Sequence, residues 1–580
     1  MTGRREQTSE PKDVSLEERR AEALDKKVAA LRHHIQQACL AGRPGDICRF
    51  EDLDQTFPAL PLQEAYYAIQ ELGLADSTDL LALATPEQVQ GFLDLDVWRK
   101  DLLDSRRMLR WTDVLLQLPL EKLAQVIEHL DPEIVALLVA RSCRILDMTL
   151  EVLPQNIIAG PWRTPDSFYA LIPHDKDHLE DYHRACRLLD RLYAADMELA
   201  HKVVKTARWE PPAELEEMSY RWRSGRIMDL GFADYYEAIE VYSYLKPTAV
   251  KIGENTADPP LPEDLDVAGM DLVQEAQGDR RDFLAACLAR IEDPAEMRRI
   301  GQAAATLANK MMAADLVENP DYHLAAHYMA RMRRYLSIGL ERLTGGDPNL
   351  GPKALATISL ARILRVGYSL TLDLKRLVMG LRSAGRISLA PTGTTLLDEP
   401  WEALVRGLEQ RRPELTRAFD DPPGEGFRPF SSMADLAFAL RLVEDLANQW
   451  SLCFEKLRFP LDILSSETLK SCMPASPAQV TLGDIFRTAL LNHLIGAAPS
   501  PRPLSEHELA RAKSALAQVR RKRPLWKTAS NLVEGILKDK GQTPPPRLDR
   551  ILRTWTDPLQ ARNREQLAAW VITKKPDAHD

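Results

Sequence analysis

The densest group of side chains able to do chemistry lies at His174, His178 and His183, interleaved with Asp175, Asp177, Glu180 and Asp181. Imidazole nitrogens and carboxylate oxygens are the usual ligands of a transition metal, and on one helix residues four apart share a face. His174, His178, Glu180 and His183 are therefore the candidate metal ligands, with Glu180-x-x-His183 supplying half of a carboxylate-bridged dimetal signature. A second Glu-x-x-His stands at Glu198 to His201. On a continuous helix it lies roughly 27 Å further on at about 1.5 Å per residue, too far to share the ion. A polar, cap-rich helix start accounts for the same composition. His323 and His327 are also four apart, without the glutamate that a His-Glu-x-x-His site needs, and read as partly buried structural histidines.

Two basic clusters come next. Arg520, Arg521, Lys522 and Arg523 run into Pro524-Leu525-Trp526-Lys527, with Arg511 and Lys513 upstream. Such cations displace counterions from phosphates and an indole stacks on bases, so the patch suits nucleic acid; cations at a helix carbonyl end are the simpler explanation. Arg221, Arg223 and Arg226 surround Trp222. Guanidinium forks bind carboxylates two-pronged, and pairing with Glu214, Glu216, Glu217 or Asp229 makes this a structural arginine cluster first and a ligand site second. The sequence contains no Gly-x-Gly-x-x-Gly, no phosphate loop and no Gly-x-Ser-x-Gly elbow. Ser-x-x-Lys occurs at Ser9–Lys12 and Ser243–Lys246 without its companion motifs. No catalytic residue is assigned, no cofactor is identified, and whether the chain is an enzyme stays open.

These groups are positioned by helices. A chain of 580 residues exceeds one core and predicts about three to five domains of roughly 100–200 residues. Hydrophobic residues at 45% and charged residues at 28% make it a folded protein rather than a disordered one. Residues 1–45 read as a polar N-terminus with a Ser15-Leu16-Glu17-Glu18 capping box and an amphipathic helix through Leu24, Val28, Leu31 and Ile35. In residues 46–150, Pro61, Pro86, Pro119 and Pro132 each open a short amphipathic helix, because proline lacks the N–H that a first turn cannot use. Such helices stack to cover their apolar faces, as degenerate repeats. Residues 151–262 are irregular, with a hairpin near residues 166–173 and a linker from Asn255 to Pro262. Residues 263–388 predict a bundle of about four antiparallel helices, with starts at Asp293-Pro294, Asn319-Pro320 and Gly351-Pro352. Its last helix carries Leu355, Ile358, Ile363, Leu364, Leu370, Leu374, Leu377, Val378 and Leu381. Residues 389–580 form a helical C-terminal domain with loops at Pro391–Pro400 and Asp420–Pro429 and a basic end. The fold class is all-α, with at most one small β-hairpin.

Charge is uneven. Residues 501–580 hold 17 Lys+Arg against 9 Asp+Glu, which leaves the preceding 500 residues at −18 within a total of −10. Seven cysteines, odd in number and never spaced Cys-x-x-Cys, fit a reducing compartment. No stretch approaches the about 20 apolar residues of a membrane span, and the N-terminus has no export signal, so a cytoplasmic protein without membrane insertion is expected.

The run Tyr67-Ala68-Ile69-Gln70-Glu71-Leu72-Gly73-Leu74, with Leu83 to Val89 and Phe92-Leu93-Asp94-Leu95-Asp96, resembles an uncharacterised bacterial domain-of-unknown-function family of long helical proteins. Arg221 to Arg226, Asp229-Leu230-Gly231-Phe232, Tyr236-Glu237-Ala238 and Pro501 to Ser505 resemble the same family. It implies no activity. Residues 60–150 are distantly similar to the short helical repeats of the MgtE cytoplasmic N-domain and of FliG, a likeness of structure only. The leading expectation is a cytoplasmic scaffold or adaptor that binds a protein partner and requires no cofactor. One alternative is a metal-binding enzyme or sensor at His174–His183; another is polyanion or nucleic-acid binding by the basic C-terminal region. Partner identity and oligomeric state are not encoded legibly.

Overall fold

The computed structural model describes residues 16–229, 232–258, 282–317, 320–388, 395–474, 476, 479–560, 567–569 and 571–575. Ser15, Leu230, Gly231, Asn319, the end of the 255–262 linker and residues 391–394 lie outside them, as does the side chain of Lys522. Helices dominate, and none of the described ones is long and apolar enough to cross a membrane.

The proline punctuation operates as its chemistry dictates. Pro61 and Pro119 sit at the N-caps of the Leu62–Leu72 and Leu120–His129 helices. Pro86 is the first residue of Pro86–Asp96, where Thr85 and Gln88 close a capping box. Asp131 precedes Pro132–Ser142 but makes no capping bond, because its carboxylate is engaged elsewhere, by Arg226. Val28, Leu31 and Ile35 of the Leu16–Leu40 helix turn inward, and Gly42 ends the run with a left-handed φ of 64°.

The central segment holds Pro294–Ala314, Tyr322–Thr344 and Leu360–Ser383. A Cβ on Gly339 would lie 2.1 Å from the Ile363 carbonyl oxygen, and one on Gly367 would lie 2.0 Å from that of Tyr335. The second and third helices therefore run antiparallel with their backbones in contact. The helix expected to start at Gly351 is interrupted: Gly351–Thr357 stops at the extended Ile358, and Ser359 caps a new helix at Leu360. Ile358 instead bridges Thr256.

The expectation of at most one hairpin needs correction. Tyr169–Ile172 is the middle strand of a three-stranded antiparallel sheet between Arg144–Asp147 and Trp162–Arg163. Two-residue pairs also join Trp98–Arg99 to Leu102–Leu103, Leu415–Thr416 to Phe427–Arg428, and Cys472–Met473 to Thr573–Lys574. Strands this short never display the alternation by which a sequence announces them.

Three apolar cores result. The first runs from Val28 to Leu215 and takes in Ala325 of the bundle. The second collects Ala233 to Tyr368, and the third gathers Ile338 and Leu374 through Ile572. Helix Tyr322–Thr344 contributes to all three and ties the chain together.

Candidate functional site

The arginine cluster divides its labour. Arg221 is exposed and pairs with Glu217 one turn away. Arg226 reaches two carboxylates that its own helix does not contain: Nε and Nη2 donate to Asp94 at 2.7 and 3.0 Å, and Nη1 and Nη2 to Asp131 at 3.0 and 2.6 Å. Gln90 braces the pair, donating to Asp94 and accepting from the Asp131 amide. Burial pushes the Asp94 carboxyl up, and Arg226 pulls against it. Of the other expected partners, Glu216 binds Arg141 and the Leu103 amide instead. The cluster is thus structural at Arg226, but its partners come from the repeat unit rather than from its own helix.

Arg223 differs. Its Nε donates to the Asp94 main-chain oxygen at 2.7 Å, its Nη1 is buried without a hydrogen-bond partner, and its guanidinium lies 5.7 Å from the Trp98 ring centroid. Asp94 is committed to Arg226, and Asp234 accepts from the amides of Tyr236 and Glu237. Arg223 lines a cavity of about 120 Å³ between the repeat unit and the bundle. Tyr66, Tyr67 and Leu95 come from the stacked helices, Trp98, Arg99 and Lys100 from the hairpin, Met312 and Ala313 from the last turn of a bundle helix, and Leu316 and Val317 from the segment just beyond it. Phe232 and Tyr235 complete the aromatic wall.

Four cations, Arg99, Lys100, Arg107 and Arg223, line this space, and no described lining residue is a carboxylate. Arg107 is already neutralised by Asp96 at 3.0 Å, which also receives the hydroxyl of Tyr66 and the indole N–H of Trp111. Arg99 and Lys100 are exposed at the hairpin, where Lys100 lies 4.8 Å from the Tyr235 ring centroid. Lys100 takes a left-handed φ of 60° in the turn. The walls are held in register by reciprocal amide bonds between Gln63 and Asn309, at 2.9 and 3.2 Å, and by Glu71 accepting from the Tyr322 amide.

The histidine group is not arranged as expected. Helix Leu179–Ala195 begins only after His178, its N-cap, so His174 lies in the preceding loop and shares no helical face with it. The Asp175 side chain, accepting from the amides of Asp177 and His178, folds that loop into a turn. His174 contacts the Ala140 carbonyl oxygen, His178 pairs with Asp175 at 2.7 Å, and Glu180 lies 3.8 Å from Arg184. His183 packs against Tyr182. Among the described residues no three His, Cys, Asp or Glu side chains assemble as a metal group. His323 and His327 are both exposed rather than partly buried.

In the basic patch, Arg520 and Lys522 occupy the last turn of Glu506–Lys522, and Arg523 is its C-cap. Arg521, Arg523 and Lys527 are exposed, and the Trp526 ring already carries Arg553 at 4.3 Å and Lys527 at 5.6 Å. A base stacking on the face that carries Arg553 would have to displace it.

The match to known sequences decides the family: residues 20–577 fit a family of unknown function, DUF6178. The chain belongs to DUF6178. No curated protein and no solved structure matches it, so the likeness of residues 60–150 to the MgtE and FliG repeats gains no support from that side. The cavity of this DUF6178 chain escaped sequence reasoning, although Tyr67, Leu95, Arg223 and Phe232 stand in the segments that carried the resemblance. The missing signal was the convergence of residues some 250 positions apart.

Proposed function

We propose that the protein is a cytoplasmic helical scaffold or adaptor that binds a small anion where its repeat unit meets its bundle, and offers its outer surface to a protein partner. The observation that carries this reading is the cavity wall, with four cations and no carboxylate among the described lining residues. A recess of one charge sign with low-dielectric walls concentrates counter-ions. Thermal unfolding of the full chain in sodium salts of small carboxylates and of phosphate, at matched ionic strength, tests it. A bound anion raises the midpoint saturably, and Arg223→Gln, folded by circular dichroism, removes the rise. Identical midpoints for all anions dispose of the reading.

The partner surface is favoured by one specific observation. Leu150 and Val152 are 72% and 88% exposed, beside Phe168 and Trp209 at 52% and 50%. The Met148 amide donates to the Phe168 carbonyl and Arg208 pairs with Glu151, which draws together the segments that carry these side chains. Solvent-facing apolar groups gathered this way mark protein contacts. A Val152→Lys, Phe168→Lys double variant is expected to lose a partner retained by Arg223→Gln; loss of the same partner from both variants, or from neither, refutes the placement.

A further inference from the structure

We infer that the anion is a single-ring aromatic monocarboxylate, about the size of benzoate; this rests on the cavity being the anion site proposed above. Volume sets the first limit. An apolar cavity of about 150 Å³ admits one benzene ring, so the space of about 120 Å³ found here takes at most one ring, with any polar group at its edge.

Charge sets the second. Arg107 is spent on Asp96, and Arg99 and Lys100 stand exposed at the rim. Arg223 is the one half-buried wall cation with no described carboxylate bonded to its guanidinium, since its Nε takes only the Asp94 main-chain oxygen and its Nη1 takes nothing. One interior guanidinium with no carboxylate bonded to it matches one negative charge, and its plane suits the plane of a carboxylate.

The remaining wall sets the third. Ile227, Met312, Ala313, Leu316 and Val317 present no donor, so inorganic phosphate would surrender its hydration along that side of the wall, whereas the other side offers the unpartnered Trp98 indole N–H. A ring, by contrast, meets Trp98, Phe232 and Tyr235. Edge and offset contacts between rings favour an aromatic body over a saturated one by several-fold to about tenfold.

Titration calorimetry of the full chain with benzoate, cyclohexanecarboxylate, benzyl alcohol and inorganic phosphate tests the class. Benzoate is expected to bind one to one, cyclohexanecarboxylate several-fold more weakly, and benzyl alcohol at least tenfold more weakly for want of the charge-assisted bond. Arg223→Lys, which keeps the charge and loses the fork, should weaken benzoate about tenfold. Ala313→Leu, which fills the space and leaves every cation, should abolish binding even if the Arg223 variants fail to fold. Phosphate or cyclohexanecarboxylate binding as tightly as benzoate, with competition between them, overturns the ligand class and leaves the anion site standing. Failure of every anion removes both.

Discussion

Lys100 sits where the hairpin between Trp98–Arg99 and Leu102–Leu103 demands a left-handed backbone, at φ 60°. A side chain there costs about 1 kcal/mol relative to glycine, so the position holds a lysine against its conformational interest. Lys100→Gly is expected to raise the urea midpoint by an amount equivalent to about 1 kcal/mol while weakening benzoate binding. A gain in neither stability nor a loss in affinity would separate the lysine from the site. Arg226 supports the opposite expectation. Arg226→Met strands Asp94, whose side chain is 1% exposed, beside Asp131, and should cost about 3–5 kcal/mol by urea unfolding at pH 7. Burial already raises Asp94, so its carboxyl favours the folded state below the ordinary carboxylate range near about pH 4 and loses that contribution as pH rises through its folded value. Removing the guanidinium raises it further. The deficit of Arg226→Met should therefore shrink on acidification, and a deficit unchanged between pH 7 and pH 4.5 would place the cost elsewhere.

At the scale of elements, the crossing of Tyr322–Thr344 with Leu360–Ser383 leaves no room at Gly339 or Gly367 for a methyl group, since the obstacle in each case is a carbonyl oxygen of the other helix. Gly339→Ala and Gly367→Ala should each cost about 1–3 kcal/mol as the helices are forced apart. Gly380→Ala, on the same helix with nothing within 4 Å, should instead stabilise by up to about 1 kcal/mol; a calorimetric midpoint that falls for all three would refute this account of the crossing. This difference between neighbouring glycines marks what a sequence shows and hides. The helix starts at Thr85-Pro86-Glu87 and Asp293-Pro294 were legible because such starts are settled within a few residues. The break at Ile358 was not, because Leu355, Ile358, Ile363 and Leu364 keep their apolar rhythm across it and all four are buried on both sides of the interruption. Arg226 was legible as a structural arginine, yet its partners stand 132 and 95 residues away, where no local rule reaches. His174 and His178 suggested a shared face because spacing alone cannot say that a helix starts one residue after the second of them.

Across the whole molecule, the cavity lies where the first core meets the second. Its walls belong to both: Tyr66 and Trp98 are packed in one, Met312 in the other, and Gln63 with Asn309 sews them together over 246 residues of chain. A ligand seated between two cores can bind fully only when both are formed and docked, so its binding energy must appear as a restraint on their separation. At a concentration of 100 times its Kd, the ligand adds about 2.7 kcal/mol against any opening that dismantles the site. Hydrogen exchange reads where that restraint falls. Benzoate should slow exchange in Leu62–Leu72, in the hairpin around Lys100 and at the end of Pro294–Ala314 together. The Glu506–Lys522 and Leu525–Asp539 helices belong to the remaining core and should not respond. Protection confined to the hairpin would reduce the cavity to a surface contact of the exposed Arg99 and Lys100. Protection spread evenly over the chain would mean that the anion acts on the protein's net charge rather than at a junction between its parts.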